Sequence, residues 1–157
     1  MTSPDRPRDG SSGQYLIALH VDSLLLSGSM KSLAALRLVA VTHAIAICLQ
    51  PVLAGIYLNG SGAALRMHEP IGLGLVIAGL IQLLLAIIYW RAGGRPLAPM
   101  VTLLITLGEG LQVGMGYSRQ LALHIPLGIA LVAGAVAFAL WTHRQSARTE
   151  TLEEVTV

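Results

Sequence analysis

From Leu36 onward the chain alternates long apolar runs with short polar breaks. The runs are about Leu36 to Leu58, Pro70 to Trp90, Leu97 to Tyr117 and Leu121 to Trp141. Each holds about 20 residues, the length of α-helix that crosses the hydrocarbon core of a bilayer. The breaks fall at Asn59 to Glu69, Arg91 to Pro96 and Ser118 to Gln120. Links this short make successive helices antiparallel neighbours. The pattern therefore predicts an all-α, polytopic membrane protein whose residues 30–145 form a four-transmembrane-helix up-down bundle. Ahead of it, Met1 to Gly13 is rich in Ser, Pro, Asp, Arg and Gly without an apolar period, and reads as a disordered tail. Tyr15 to Leu26 is broken by His20, Asp22 and Ser23 and is too short to span, so it predicts an interfacial helix at most. Residues 1–29 together read as an extension, with Met30-Lys31-Ser32-Leu33 resembling a natural start, and 146–157 read as a solvated tail carrying Glu150, Glu153 and Glu154.

Composition supports the membrane reading. With 54% hydrophobic and 11% charged residues in 157, the chain has more apolar surface than a soluble domain of this size can bury, so its first partner is the lipid bilayer. The net charge of +2 comes from scattered basic residues and gives no footprint for nucleic acid. Lys and Arg instead report topology. Arg6, Arg8, Lys31, Arg37, Arg91, Arg95, Arg144 and Arg148 fall on one side, against Arg66 and Arg119 on the other. The expectation is a multi-pass protein of the cytoplasmic membrane with both termini cytoplasmic. Tyr57, Tyr117, Trp90 and Trp141 end the four runs where interfacial anchors belong. A single cysteine, Cys48, excludes an internal disulfide and a CxxC redox pair.

One phrase occurs twice: His68-Glu69-Pro70-Ile71-Gly72 and His124-Ile125-Pro126-Leu127-Gly128. Each copy opens an apolar run, which places the two histidines at the starts of the second and fourth helices, on the same side of the bilayer. The repetition extends further. Leu49-Gln50 is followed by Gly55 and Tyr57, and Leu111-Gln112 by Gly116 and Tyr117, while the second and fourth runs end near Trp90 and Trp141. This order predicts a duplicated two-helix hairpin related by a pseudo-twofold axis along the membrane normal.

Gln-x-x-x-Gly late in one helix, followed by a histidine at the head of the next, resembles one four-helix half of the haem A synthase family. The resemblance covers about Leu36 to Trp141 and implies that His68 and His124 hold a haem. The acidic residue that the family's catalytic half carries three positions before its second-helix histidine is here Leu65. Glu69 and Ile125 stand where an arginine usually follows each histidine, and the outer-loop cysteine pair is missing. The resemblance thus implies a binding site rather than synthase chemistry. The chain also resembles small four-helix integral membrane proteins of high-GC, actinobacterial bacteria, a likeness that implies no function.

The residues support the same pairing. In an up-down bundle the second and fourth helices are diagonal, roughly 11 to 14 Å apart when neighbours pack at 8 to 10 Å. That separation suits two imidazoles with an iron porphyrin between them. The absence of a CxxCH motif makes this non-covalent haem b. Gly72 and Gly128, one turn beyond the histidines, would leave room for the macrocycle, and Arg66 and Arg119 could meet its propionates. Two axial histidines favour electron transfer over oxygen chemistry.

Further candidates lie deeper. Glu109, near the middle of the third run, costs several kcal/mol in lipid unless neutral or paired. With Gln112 on the same face it could relay protons or contact a quinone headgroup, or simply bond across the bundle. His43 is its natural partner. A pairing of His43 with His143 on a second haem is the less favoured alternative. Gln50 and Gln112 are candidate cofactor contacts or interhelical hydrogen-bonders. The leading expectation is a haem b protein that passes electrons or carries or senses haem, working with a membrane redox partner or quinone, or as a homo-oligomer. The chief alternative is a non-redox accessory subunit whose histidines are structural, and haem-modifying enzymology is the weakest. No nucleotide loop, nucleophile triad or zinc signature points to an enzyme.

Overall fold

The computed structural model describes the backbone of residues 11–155 and the side chains of residues 30–145 together with His20 and Gly28. Its elements are four helices: α1 (Ser11–Leu58), α2 (Gly62–Arg91), α3 (Leu97–Tyr117) and α4 (Leu121–Val155). Each packs against two neighbours in the closed order α1, α2, α3, α4, α1, and among the described residues the diagonal pairs α1/α3 and α2/α4 make no close backbone approach. Only side chains can bridge the centre. The all-α four-helix bundle is the architecture the hydrophobic pattern predicts.

All four helices contain stretches long and apolar enough to cross a membrane: Met30–Leu58, Gly62–Arg91, Leu97–Tyr117 and Leu121–Gln145. Burial is inverted relative to a water-soluble bundle. Leu38, Ile77, Leu104, Leu107 and Ile129 are exposed on the circumference, while His43, Gln82, Thr102, Thr106, Glu109 and Thr142 are buried. In water such a periphery would be costly, since each fully exposed large apolar side chain forgoes roughly 1.5–3 kcal/mol of burial. In lipid the same periphery is solvated, and the chain is a multi-pass membrane protein. The helices meet through small residues: Ala40, Ala44, Ala64, Gly79, Ala86, Ala98, Ala135 and Ala139 are buried, and small side chains let backbones approach where lipid gives no hydrophobic drive for association.

The boundaries differ from the expected ones in three places. Residues 11–29, expected to be tail and interfacial segment, are helix continuous with α1, because no proline interrupts them and Gly28 costs only about 1 kcal/mol relative to Ala. Residues 1–10 and the side chains of most of that segment lie outside the described residues. The second helix begins at Gly62 rather than Pro70, since Ala63, Ala64, Leu65, Arg66 and Met67 are good helix formers and Pro70 is accommodated inside α2. The expected loop from Asn59 to Glu69 is thereby cut to residues 59–61. At the other end, α4 runs on to Val155 through the expected tail.

The three connections share one mechanism. After α1, Gly60 lies at φ +97°, with Ser61 N–H donating to Ile56 O and Gly60 N–H to Tyr57 O. After α2, Gly93 lies at φ +90°, with Gly94 N–H donating to Tyr89 O and Gly93 N–H to Trp90 O. After α3, Arg119 lies at φ +56°, with Gln120 N–H donating to Met115 O and Arg119 N–H to Gly116 O. Each is a Schellman cap that satisfies the last carbonyls of its helix and reverses the chain. Two use glycine, as the left-handed backbone prefers. The third uses arginine.

Candidate functional site

The polar residues of the bundle interior form two tiers. The first lies where α1 and α3 end and α2 and α4 begin. His68 is in the second turn of α2 and His124 in the first turn of α4, so both follow short caps rather than a long loop. Their rings approach across the α2/α4 diagonal, with centroids 6.2 Å apart and planes inclined by 58°. Both residues are half-buried.

His124 Nδ1 stands 3.0 Å from the Gln112 backbone carbonyl. A carbonyl only accepts, so Nδ1 carries the proton and, in the neutral ring, Nε2 keeps a free lone pair. This contact has a local cause. In a helix the side chain four residues on shields a carbonyl, and four after Gln112 comes Gly116. A β-carbon there would stand 3.2 Å from His124 Cε1 and 3.4 Å from Nδ1. The other half repeats the arrangement less completely: His68 Nδ1 is buried without a hydrogen-bond partner. Four residues after Gln50 stands Ala54, which has the methyl that Gly116 lacks.

The two glycines of the repeated phrase serve the glutamines. A β-carbon at Gly128 would lie 2.8 Å from Gln112 Nε2, and one at Gly72 would lie 3.9 Å from Gln50 Oε1. Gly72 and Gly128, expected to face a macrocycle, thus have amide side chains beside them. Gln50 Nε2 and Gln112 Oε1 are buried and have no hydrogen-bond partner. Three polar atoms at this end of the bundle, His68 Nδ1 among them, are thus buried without a partner. At its rim, Tyr117 Oη donates to Glu69 Oε1 at 2.6 Å, joining α3 to α2. Arg66 and Arg119 are exposed at this end.

The second tier lies deeper in the bundle, on the other diagonal. His43 of α1 and Glu109 of α3 meet with Nε2 and Oε1 2.6 Å apart. The approach is a close ion-pair contact without in-line hydrogen-bond geometry. His43 Nδ1 is 3.0 Å from Gln82 Oε1 of α2. Opposite them, Gly79 leaves the space into which Glu109 Oε2 and Thr106 Oγ1 project. Thr102 and Thr106 bond back to the carbonyls of Ala98 and Thr102.

The pairing of His43 with Glu109 was expected from the sequence. Gln82 was missed, although a lone amide inside the run from Pro70 to Ile88 carries the same signal as Glu109 in its own run. The alternative pairing of His43 with His143 is not formed: both ring nitrogens of His43 face Gln82 and Glu109. His143 is exposed instead beside an open apolar groove of about 440 Å³ between α1 and α4, lined also by Cys48 and Leu140. Among the described residues no three His, Cys, Asp or Glu side chains gather as they would for a bare metal ion. The chain matches no protein-family model, no curated protein and no solved structure.

Proposed function

We propose that this chain is a haem b protein of the cytoplasmic membrane, with His68 and His124 as the two axial ligands, and that it passes electrons. The observation that carries the reading is the spacing of the rings. A metal-bound imidazole nitrogen lies about 2.0–2.1 Å from the ion and roughly 1 Å from its own ring centre, so two imidazoles on opposite sides of one ion have centres roughly 6–6.5 Å apart. The observed 6.2 Å falls in that interval. The tautomer agrees with it. Ligating histidines characteristically donate their second N–H to a carbonyl or carboxylate, as His124 does to Gln112. A porphyrin supplies four equatorial donors, so two protein ligands suffice.

Within the proposal, the protein's part is to hold and tune. The Gln112 carbonyl orients the His124 ring and raises its basicity, while Gln50 holds the repeat-equivalent position for His68, whose Nδ1 has no partner. The unpartnered amide atoms of Gln50 and Gln112 are available to the polar edge of a cofactor, and Arg66 and Arg119 are the cations at that end for its carboxylates. Bound haem would supply one-electron chemistry, and with both histidines holding it oxygen binding would be disfavoured. The proposal has both termini on the cytoplasmic side, a reading supported by Lys31, Arg37, Arg91, Arg95 and Arg144 at the end opposite the histidine tier.

The test is direct. Protein expressed in haem-replete cells and purified in detergent shows a Soret band, and His68→Ala and His124→Ala each abolish it while far-UV circular dichroism stays helical. Colourless wild-type protein, or colour that survives both substitutions, refutes the proposal and returns the chain to the reading of a non-redox membrane subunit.

A further inference from the structure

Glu109, His43 and Gln82 are not needed to hold anything in the first tier, yet they place two titratable side chains inside a membrane bundle at relative exposures of only 1% and 4%. Structural economy does not explain them. Replacing a buried ion pair by apolar side chains of similar volume is commonly neutral or stabilising. Their geometry defines a store for a single proton. The Gln82 Oε1 contact keeps a hydrogen on His43 Nδ1, so the only variable position is between Nε2 and Glu109 Oε1, 2.6 Å apart. With that proton the pair is neutral overall. Without it the pair carries one negative charge in a medium of low dielectric.

Along α3 the store lies about one turn deeper than the residue whose carbonyl holds His124. Glu109 is three residues from Gln112, roughly 4.5 Å along the α3 axis, and it is the Gln112 carbonyl that holds His124. The elements around the pair offer little else that titrates. From α2 it meets Gly79 and Gln82. The buried residues of α4 (Leu131, Ala135, Phe138, Ala139 and Thr142) carry no charge. On α1 the nearest charge is Arg37, almost two turns before His43, and on α2 the Tyr89 phenol lies two turns past Gln82. Glu69, Arg66 and Arg119 face solvent at the rim. Among the described residues, the buried pair is therefore the interior group able to answer a charge added to the first tier with a proton, and unscreened charges in such a setting interact strongly.

We propose that the His43–Glu109 pair is a redox-linked proton site: were haem held by His68 and His124 to gain one electron from a one-electron donor, the pair would take one proton from solvent, and would release that proton when the electron left. The inference rests on haem occupying the first tier. Charge balances, since one electron and one proton enter together and no bond to carbon is made or broken.

The test uses full-length haem-loaded protein in detergent. In the wild type the midpoint potential falls as pH rises, and the reduced-minus-oxidised infrared spectrum contains a carboxyl or imidazole band. In Glu109→Gln the fall with pH becomes shallower and the band is lost, with the Soret band unchanged. Glu109→Asp restores part of both, and His43→Gln provides a second variant that keeps a polar partner at residue 43. An intact Soret band with the same pH slope and the same infrared bands in wild type and Glu109→Gln overturns this inference and leaves the haem assignment standing. Absence of any haem band overturns both.

Discussion

Gly79→Ala tests the packing of the second tier most sharply. A β-carbon at residue 79 would stand 2.5 Å from Glu109 Oε2, 2.8 Å from Thr106 Oγ1 and 3.4 Å from Thr106 Cβ. The neighbours of these atoms oppose their retreat. The other carboxylate oxygen is held 2.6 Å from His43 Nε2, that ring is bonded to Gln82 at 3.0 Å, and Thr106 is bonded to the Thr102 carbonyl at 2.9 Å. Forcing a methyl into such a site costs about 1–3 kcal/mol, against about 1 kcal/mol that alanine gains over glycine in a helix. The same helix supplies its own control. A β-carbon at Gly74 meets nothing within 4 Å, so Gly74→Ala collects the propensity gain alone. The difference between the two variants is then the packing term by itself, about 1–3 kcal/mol. Unfolding by heat or by added sodium dodecyl sulfate, followed by far-UV circular dichroism in detergent, measures it. Equal shifts for Gly74→Ala and Gly79→Ala would refute the claim that α2 is shaped to cover the glutamate.

Two further substitutions address the caps and the first tier. Arg119 occupies a left-handed position at φ +56° that Gly60 and Gly93 fill in the other two connections, so Arg119→Gly raises stability by about 1 kcal/mol in the same unfolding assay. In Gly116→Ala the new methyl, 3.2 Å from His124 Cε1, displaces the ring from the Gln112 carbonyl. Loss of such a supporting bond weakens a ligand site by about 10- to 100-fold, read as haem affinity in a Soret titration with helicity unchanged.

Much of this protein is written in one dimension. Four apolar runs of spanning length with short breaks force four antiparallel helices in lipid, because every backbone polar group there must be satisfied within a helix. The repeated histidine phrase placed His68 and His124 at one end of the bundle, and the cost of a lone carboxylate in an apolar run singled out Glu109 and asked for His43 as its partner. Local propensity then moved the boundaries: alanines, leucines and an unbroken run carried α1 and α2 beyond the limits that proline and serine suggested.

What only the tertiary structure decided is distance and occupancy across the centre. Periodicity states which face a residue occupies, but it gives no separation between diagonal helices. The 6.2 Å between the rings depends on how closely four helices settle on their alanines and glycines. The partners of those residues were equally hidden: Gly72 and Gly128 accommodate Gln50 and Gln112, Gly116 bares a carbonyl for His124, and Gln82 completes the deeper pair. Such relations join residues on different helices through the absence of a side chain. A missing atom leaves no mark in a hydrophobic pattern until the neighbouring backbone is brought against it.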